Sequence, residues 1–450
     1  METLPDDIVV EILVRVTGVA ALFRCAATCN RWRRLIADAS FLFRLWPEGV
    51  PHSSFLLGFL VTQLSREERP ARIISAPAPS FALAPWSPLG DRYRFLGHYI
   101  HGLPKDGRLH TVPLTARRGL LLNHIVELVY PNNMTTEGSF SLALCDPLAG
   151  VGRELPPLKY NGKFTMVGYT ILTDLDCCSD KRRWPIYEVS FKVLIISVDE
   201  GQPGYNLHVF MPAEWSWSTP RQFFGTLEHG MHVAPQQATA VVCQGAAHWL
   251  FRRTSSFYTL SVCAKTAHMS LTRLPITPNQ IDLNLYSEPM LSVTNDGMLS
   301  LFRLYRKFTM LEIWTCQGDY KSEDDNVDRW YRTKMIKLKR PTQIKIDLVR
   351  CVCIGEMSGK LLVNDNQGCV YIADLQTGAM ETVTEWFRSS VQSAIPFEMD
   401  WPAYFMSQLA GGSIKRTKLG GAIQKIAKSF WGLVVVLVIF GPIAMRWAWA

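Results

Sequence analysis

The chain has 450 residues, of which 48% are hydrophobic and 19% are charged. This composition excludes a disordered protein, and the length exceeds what one ordinary hydrophobic core requires. The formal net charge is +8, but six basic residues and no acidic residue follow Asp400, so the preceding part of the chain is nearly neutral. We therefore expect a small module joined to a larger globular domain, and we expect no nucleic-acid partner.

The eleven cysteines indicate a reducing compartment. Their number is odd, no two of them form a CxxC pair, and the N-terminus does not resemble a signal peptide. Such usage is typical of buried thiols in a cytosolic or nuclear protein. Because alternate residues of a strand share a face, we expect Cys351 and Cys353 to lie on the same side of one strand.

The segment from Leu4 to Trp46 has the pattern of a compact helical unit. Pro5 suits a first helical position, and the two aspartates after it favour the positive end of the helix dipole. Apolar residues then recur at helical spacing on one broad face: Ile8, Val9, Ile12, Leu13 and Val16. The pattern predicts three short helices, the last starting near Asn30, and an ion pair between Glu11 and Arg15.

A unit of this size rarely supplies a self-sufficient core, so its apolar face needs the rest of this chain or another protein. Three stretches resemble the F-box, the helical motif that docks on the Skp-type adaptor of cullin-RING ubiquitin ligases: Leu4-Pro5-Asp6-Asp7-Ile8, Glu11-Ile12-Leu13 and Cys29-Asn30-Arg31-Trp32-Arg33-Arg34-Leu35. The resemblance implies an F-box over residues 1–46. It also places nine residues in the adaptor-facing and core positions of that motif: Leu4, Pro5, Ile8, Ile12, Val16, Leu22, Cys29, Trp32 and Leu35. Thr17-Gly18 and Ala39 stand where many plant members have proline, which changes loops and leaves the apolar face intact.

Two other interpretations of this unit remain open. It could be a helical cap folded onto its own downstream domain. It could also be a three-helix DNA-binding unit, because Arg31, Arg33 and Arg34 decorate its last helix. The nearby acidic residues and the lack of a basic arm argue against DNA binding.

From Phe55 onward, short strand-like runs bounded by Gly, Pro, Asn and Asp replace the helical spacing. Three stretches repeat an alternating strand that ends in a polar turn: residues 141–150, 257–262 and 370–378. Asp146 and Asp374 stand in two of these turns, each with a glycine four residues later. We expect hairpins between 247–251 and the second stretch, between 360–363 and the third, and between 298–304 and 309–314.

The distance of 228 residues between Asp146 and Asp374 holds four or five units of about 45 to 57 residues, the size of a four-stranded propeller blade. The order of motifs also resembles grass F-box proteins in which a degenerate kelch-like β-propeller follows the F-box: Phe55–Phe59, Tyr93–Gly97, Arg118–Leu122, Asp146-Pro147 and Gly245–Leu250. We expect a mainly β protein, with an all-α F-box and then a propeller of six or seven blades over residues 55–400. A β-sandwich, or two paired ones, is the alternative.

No motif for enzymatic chemistry is present. The sequence contains no GxSxG, P-loop, GxGxxG or HExxH pattern, so we expect a non-catalytic protein without cofactor or metal. Two histidine pairs, His98/His101 and His229/His232, have a spacing that would suit a metal site only on a helix. Both pairs fall in turn-rich strand regions, so we do not expect them to bind a metal.

Two aromatic stretches, Trp215-Ser216-Trp217 and Asp328-Arg329-Trp330-Tyr331-Arg332, are candidate binding patches. Tryptophans that face each other between blades are the simpler explanation. The acidic run Glu323-Asp324-Asp325 is best explained as a solvated loop.

The C-terminal part has the pattern of a basic, glycine-containing linker over residues 401–428 and a transmembrane anchor over residues 429–450. Residues 430–445 form 16 uncharged positions, about 24 Å as a helix, and extension to Ala450 gives about 31 Å, close to the hydrocarbon thickness of a bilayer. The residues expected to face lipid or its interface are Trp431, Leu433, Val436, Ile439, Ile443 and Trp447. Basic residues before the segment place the preceding domains in the cytosol by the positive-inside rule. A last propeller strand and a peripheral helix are the alternatives.

The resemblance implies the substrate-recognition subunit of a cullin-RING ubiquitin ligase, which holds the Skp-type adaptor by the F-box and an unidentified target protein by the propeller. We expect it at the cytosolic face of a membrane, such as that of the endoplasmic reticulum, or otherwise in the cytoplasm or nucleus. The alternative function is a membrane-tethered propeller scaffold without a ligase role. An enzymatic propeller is a third possibility that no motif supports.

Overall fold

The structure is a computed structural model that describes residues 4–63, 80–89, 109–127, 137–148, 151–161, 164–177, 191–199, 204–223, 232–233, 237–253, 256–276, 286–294, 296–306, 309–317, 330–339, 348–383 and 391–409. Within these residues the protein is mainly β. A helical unit comes first, six antiparallel sheets form a six-bladed β-propeller, and one more helix follows the last strand.

Four helices form the N-terminal unit: α1 (Asp6–Val14), α2 (Val19–Thr28), α3 (Asn30–Ile36) and α4 (Ala39–Leu45). The prediction of three helices is therefore wrong. The carboxylate of Asp38 accepts a hydrogen bond from the backbone N–H of Ser40 at 2.9 Å and caps the fourth helix. Phe41 and Leu42 are buried on the inner side of α4, so packing as well as capping stabilises it.

The strands are grouped in the sheets as follows. β1 (Leu56–Gln63) and β2 (Ser80–Leu83) come first and belong to blade 6. Blade 1 contains β3 (Leu109–Arg117), β4 (Leu120–Glu127), β5 (Glu137–Asp146), β6 (Val151–Glu154) and β7 (Leu158–Asn161). Blade 2 contains β8 (Phe164–Thr173), β9 (Phe191–Asp199), β10 (Tyr205–Met211), β11 (Ser216–Trp217) and β12 (Arg221–Phe223), with the short helix α5 (Asp174–Cys177) after β8.

Blade 3 contains β13 (His232–Val233), β14 (Val241–Cys243), β15 (Ala246–Arg253), β16 (Ser256–Cys263) and β17 (Met269–Arg273). Blade 4 contains β18 (Met290–Val293), β19 (Leu299–Tyr305), β20 (Met310–Cys316) and β21 (Trp330–Lys337). Blade 5 contains β22 (Leu348–Ile354), β23 (Lys360–Asp365), β24 (Val370–Asp374) and β25 (Met380–Thr382). β26 (Val391–Glu398) completes blade 6.

The predicted hairpins are confirmed. β15 pairs with β16, β23 with β24 and β19 with β20, all antiparallel. Asp146 and Asp374 each end the third strand of a blade, in blades 1 and 5, so the 228 residues between them span four blades. The expectation of six or seven blades is confirmed, with six.

Central strands of the blades are apolar on both faces because each blade packs between two neighbours. In β9, Val193 and Ile195 lie in the core shared with blade 1, whereas Leu194 and Ile196 lie in the core shared with blade 3. Burial of each such side chain contributes about 1.5–3 kcal/mol. This two-sided burial explains the continuous apolar runs that the sequence shows.

Blade 6 closes the ring by joining the two ends of the propeller. β26 pairs antiparallel with β1, and Leu60 lies opposite Ile395. β2 extends the same sheet on the other side of β1. The residues that precede β1 and those that follow β26 therefore emerge next to each other.

The residues after β26 form a helix, α6 (Trp401–Leu409), where a linker was expected to begin at residue 401. Its residues Trp401, Phe405 and Leu409 are buried and recur every four positions, so one helix face is apolar. The remainder of the predicted linker and the predicted anchor of residues 429–450 lie outside the described residues. Among the residues that the structure describes, no helix is long and apolar enough to span a membrane.

Cys351 and Cys353 do not share a side of β22, contrary to the expectation from strand alternation. Cys351 lies opposite Val363 and Cys353 lies opposite the adjacent Leu362, because the pairing register shifts between the two cysteines. Such a bulge reverses the alternation. Cys351 is buried against blade 4 and Cys353 against blade 6.

Candidate docking surface of the helical unit

Helix α1 has two apolar faces with different environments. Val9 and Leu13 are 3% and 0% exposed and lie in the core of the unit. Leu4, Ile8 and Ile12 are 55%, 44% and 46% exposed, although they follow the same helical spacing. We refer to Leu4, Ile8 and Ile12 together as the α1 row. An apolar row that stays in solvent is typical of a protein interaction site.

The nine predicted adaptor-facing residues are found in three environments. The exposed ones are Leu4, Pro5, Ile8, Ile12 and Cys29. The half-buried ones are Val16, Trp32 and Leu35. Leu22 is 2% exposed and belongs to the core, so it supports the surface from beneath and does not itself reach a partner.

Ion pairs fix α1 against the other helices at this surface. Arg31 at the start of α3 pairs with Asp6 at 2.6 Å, and it also donates to the carbonyl oxygen of Leu4. Glu11 pairs with Arg44 of α4 at 2.7 Å, instead of with Arg15 as the helical spacing predicted. These exposed pairs contribute little to stability. They do orient the start of α1 and Leu4 just before it, and hence the α1 row.

Cys29 is the N-cap of α3. Its sulfur accepts a hydrogen bond from the backbone N–H of Trp32 at 3.5 Å, and this bond lowers the pKa of the thiol. The bond accounts for a capping side chain at position 29, whereas the backbone N–H of any residue but proline could donate at position 32.

The inner side of the helical unit packs on the propeller through α6. The ring of Phe23 on α2 stacks on Phe405 at a centroid distance of 4.0 Å, and Trp46 lies 5.9 Å from the same ring. The shared core also includes Leu60 of β1 and Leu121 of β4. Sequence reasoning missed Phe23 and α6, although the spacing of the buried residues in α6 is a helical signal.

The helices lie on the face of the propeller at which the innermost strands β3, β22 and β26 end. β3 ends at Arg117 on this side, β22 ends at Ile354 and β26 ends at Glu398. The backbone N–H of His52 donates to the carbonyl oxygen of Met357 in the turn after β22 at 3.1 Å. We call this the helix-bearing face, and we call the opposite one the open face.

A buried ion network joins three blades on the helix-bearing face. The guanidinium of Arg117 donates to both oxygens of Asp176, one at 2.9 Å, and its Nε donates to Glu356 at 3.2 Å. Burial raises the pKa of Asp176, but the charges of Arg117 and Arg118 outweigh burial and lower it to about 2. These residues come from blades 1, 2 and 5, so the network holds the ring together.

The remaining candidate residues have structural contacts. Trp215 and Trp217 pack on Phe210 at 5.2 and 5.4 Å, between blades 1 and 2. Trp330 is 5% exposed between blades 3 and 4, whereas the neighbouring Tyr331 is 45% exposed. The interpretation as tryptophans packed between blades therefore fits these positions. His98/His101, His229/His232 and the acidic run 323–325 lie outside the residues whose side chains the structure describes.

Among the described residues, no group of three or more His, Cys, Asp or Glu side chains is arranged to hold a metal ion. The described cysteines are all free thiols, and the buried ones are Cys145, Cys243, Cys316, Cys351 and Cys353. The best-defined arrangement among the described residues is an exposed apolar row at a firmly held helix, which can dock a protein.

Residues 1–46 match the F-box-like family. The chain therefore has an N-terminal F-box-like domain followed by a six-bladed β-propeller. No curated protein sequence matches the chain.

Among solved structures, the chain is similar to the Dos1 propeller, with 12% identity, 65% of this chain and 63% of that chain covered, and a TM-score of 0.29. It is similar to a DUF4784 family protein from Bacteroides caccae, with 9% identity, 64% of each chain covered and a TM-score of 0.33. It is also similar to the Cps50 (Swd1) β-propeller domain of Myceliophteria thermophila, with 8% identity, 65% of this chain and 88% of that chain covered, and a TM-score of 0.28. The chain spans less than two thirds of the length of the first two. All three scores are low, so the blade count rests on the sheets themselves.

Proposed function

We propose that this protein is the substrate-recognition subunit of a cullin-RING ubiquitin ligase. The observation that carries the proposal is the α1 row, which is exposed on a domain whose inner side is already covered by α6 and the propeller. A domain that only capped the propeller would have no need for a second apolar face. The α1 row docks a Skp-type adaptor, together with the flanking Pro5, Cys29, Trp32 and Leu35.

In this function the propeller holds the target protein. The helical unit covers part of the helix-bearing face, which leaves the open face for the target. Loops on a rigid scaffold are the usual location of binding residues, and the turn between β23 and β24 lies on the open face. The protein itself performs no chemistry. It contributes proximity between the target and the ligase subunits that transfer ubiquitin.

The likeness to plant F-box proteins with kelch-like propellers is part of the same proposal. It rests on the F-box residues and on the order of short motifs from Phe55 to Leu250.

We also propose that residues 429–450 anchor the protein in a membrane, because this stretch is long, apolar and preceded by basic residues. Full-length protein is then expected to resist alkaline carbonate extraction, whereas a chain ending at Ala410 is expected to be extracted. Extraction of the full-length protein would refute the anchor.

The ligase function is tested by recovery of the adaptor. Ile8→Asp and Ile12→Asp each place a charge in the α1 row, and Leu4→Ala with Pro5→Ala truncates its start. Each is expected to abolish co-purification of a Skp-type adaptor, because buried apolar anchors of an interface commonly cost about 2 kcal/mol or more when removed. Met335→Asp is the matched control, because Met335 is 50% exposed on blade 4.

Circular dichroism and thermal unfolding check that each variant is folded. We expect the fold to be unchanged, because all these positions are exposed. Normal adaptor recovery with folded Ile8→Asp and Ile12→Asp variants would refute the proposal. The propeller scaffold without a ligase role would then be favoured, because the helical unit does pack on its own propeller.

A further inference from the structure

The outermost strands of blades 1 and 2 are both interrupted by prolines where they face each other. In blade 1, Pro156 and Pro157 separate β6 from β7. In blade 2, β11 and β12 are separated by residues 218–220, which end in Pro220. Proline has no N–H to donate to a strand ladder, so neither strand can continue through its break. The two breaks leave a gap on the outer rim of the propeller.

This gap is a pocket of about 320 Å3 with residues of both blades in its walls. The indole rings of Trp215 and Trp217 line it together with Pro156, Pro157 and Pro220. A volume near 300 Å3 is at the lower end of that of small ligand sites and suits one or two residues of a peptide.

The two indoles are held in place before any ligand arrives. The Nε1 of Trp217 donates to the carbonyl oxygen of Pro156 at 2.7 Å, which joins the two walls. The guanidinium of Arg153 lies over the ring of Trp215, 3.3 Å from its centroid. Trp215 itself has a φ of +49°, in the left-handed region that a bulky side chain rarely adopts. Such strain persists only where the surroundings enforce it, and it is concentrated at functional sites.

The lining determines the class of ligand. Grooves lined by aromatic side chains bind proline-containing segments in the extended polyproline II conformation. Lys159 is the charged lining residue, Arg153 stands beside Trp215, and no carboxylate is among the described lining residues. This charge distribution favours an acidic neighbour of the proline.

We propose that this rim pocket binds a short extended segment of a partner protein in which proline is flanked by acidic residues. The pocket lies outside the α1 row and the open face, so the inference does not depend on the ligase function. The pocket would give the propeller a second contact with a partner protein, with its own preference for the sequence of the bound segment.

The test uses the full chain and a fluorescently labelled peptide of about ten residues whose core has two prolines flanked by glutamates. Fluorescence polarisation is expected to show saturable binding. A peptide with alanines in place of the prolines and a peptide with lysines in place of the glutamates are expected to bind at least about fivefold more weakly.

Two variants separate the pocket from the rest of the surface. Lys159→Glu, at an exposed position, is expected to weaken the acidic peptide about tenfold and to improve binding of the lysine peptide. Trp215→Leu is expected to abolish binding of both. Lys334→Glu is the matched control on the outer strand of blade 4 and is expected to bind as the unaltered chain does.

Three results overturn the proposal: no saturation up to about 1 mM peptide, equal binding of the proline and alanine peptides, or equal weakening by Lys159→Glu and Lys334→Glu. If Trp215→Leu fails to fold, the two lysine variants still decide the question.

Discussion

The indole N–H of Trp401 donates a hydrogen bond to the carbonyl oxygen of Ser54 at 2.7 Å, although 347 positions separate the two residues in the sequence. Ser54 lies just before β1 and Trp401 begins α6, just after β26. The bond therefore joins the two ends of the propeller beside the strand pair that closes the ring. Since Phe405 on the same helix stacks on Phe23, closure of the propeller and placement of the F-box-like domain depend on one helix.

Phe405→Ala is expected to destabilise the whole protein. The ring is fully buried between the helical unit and the propeller, and loss of such a phenylalanine costs about 3–5 kcal/mol. Thermal unfolding should show a clearly lower melting temperature, and limited proteolysis should cleave between the two domains. Gln408→Ala, at an exposed position of the same helix, is the control and is expected to be neutral. Equal stability of the two variants would contradict the role of α6.

Arg117→Lys is expected to be almost as damaging as Arg117→Met. The guanidinium of Arg117 donates two hydrogen bonds to Asp176 and a third to Glu356. An ammonium group cannot reproduce this geometry. Removal of the cation in Arg117→Met leaves the buried carboxylate of Asp176 without its ion pair and costs about 3–5 kcal/mol. Chemical unfolding of both variants measures this cost. A nearly unaltered lysine variant would show that charge alone, without the fork geometry, is sufficient.

The stability of the protein is expected to fall as the pH drops from about 6.5 towards 4, in part because of His248. Burial lowers the pKa of this histidine from 6.5 to about 4, while its Nδ1 lies 2.7 Å from the hydroxyl of Ser261. Because the pKa is lower in the folded state, the unfolded state binds the proton first on acidification. The contribution is therefore complete above pH 6.5 and declines below it, by about 3 kcal/mol in all.

His248→Gln should flatten this part of the pH profile, whatever its effect on stability at pH 7. Urea unfolding at several pH values between 4.5 and 7.5 gives the slopes to be compared. His268→Gln, at an exposed position of blade 3, is the control and is expected to keep the slope of the unaltered protein. The same slope in all three proteins would assign the acid sensitivity to other groups.

Substitutions of Asp374 are expected to separate the turn from its ion pair. One carboxylate oxygen accepts backbone N–H groups of Gln376 at 2.9 Å and Thr377 at 2.8 Å, and the other pairs with Lys360 at 2.6 Å. Asp374→Ala removes both and should cost about 2 kcal/mol. Asp374→Asn keeps the acceptor for the turn and should cost about 1 kcal/mol or less. Thermal unfolding measures both, and an asparagine variant as unstable as the alanine one would assign the effect to the ion pair.

Much of the fold could be predicted because its determinants are local. The short apolar runs around Leu194 and Leu362 predict strands, and the polar turns at Asp146 and Asp374 predict the outer hairpins of two blades. The helical spacing of Ile8 and Ile12 likewise predicts α1. The F-box residues are close together in the chain, which is why the motif could be recognised.

The errors occurred where contacts distant in the sequence override a local pattern. A bulge in β22 moves Cys351 and Cys353 to opposite sides, which strand alternation does not reveal. Glu11 turns to Arg44 on another helix, although Arg15 has the spacing of a partner. The helix α6 falls in a segment for which the sequence predicts a linker, because its apolar face is covered by residues distant in the sequence, such as Phe23 and those of the propeller.

The sequence by itself determined that a helical F-box-like unit precedes a strand-rich domain, and it determined the approximate size of a blade, since each depends on the spacing of residues a few positions apart. Only the tertiary structure decided how many blades close the ring, because closure needs β1 and β26 to meet across more than 300 residues. It also decided which of the apolar residues of α1 are covered. Val9 and Leu13 face a core that includes Phe405, whereas Ile8 and Ile12 remain in solvent, and this difference arises from packing that no local pattern encodes.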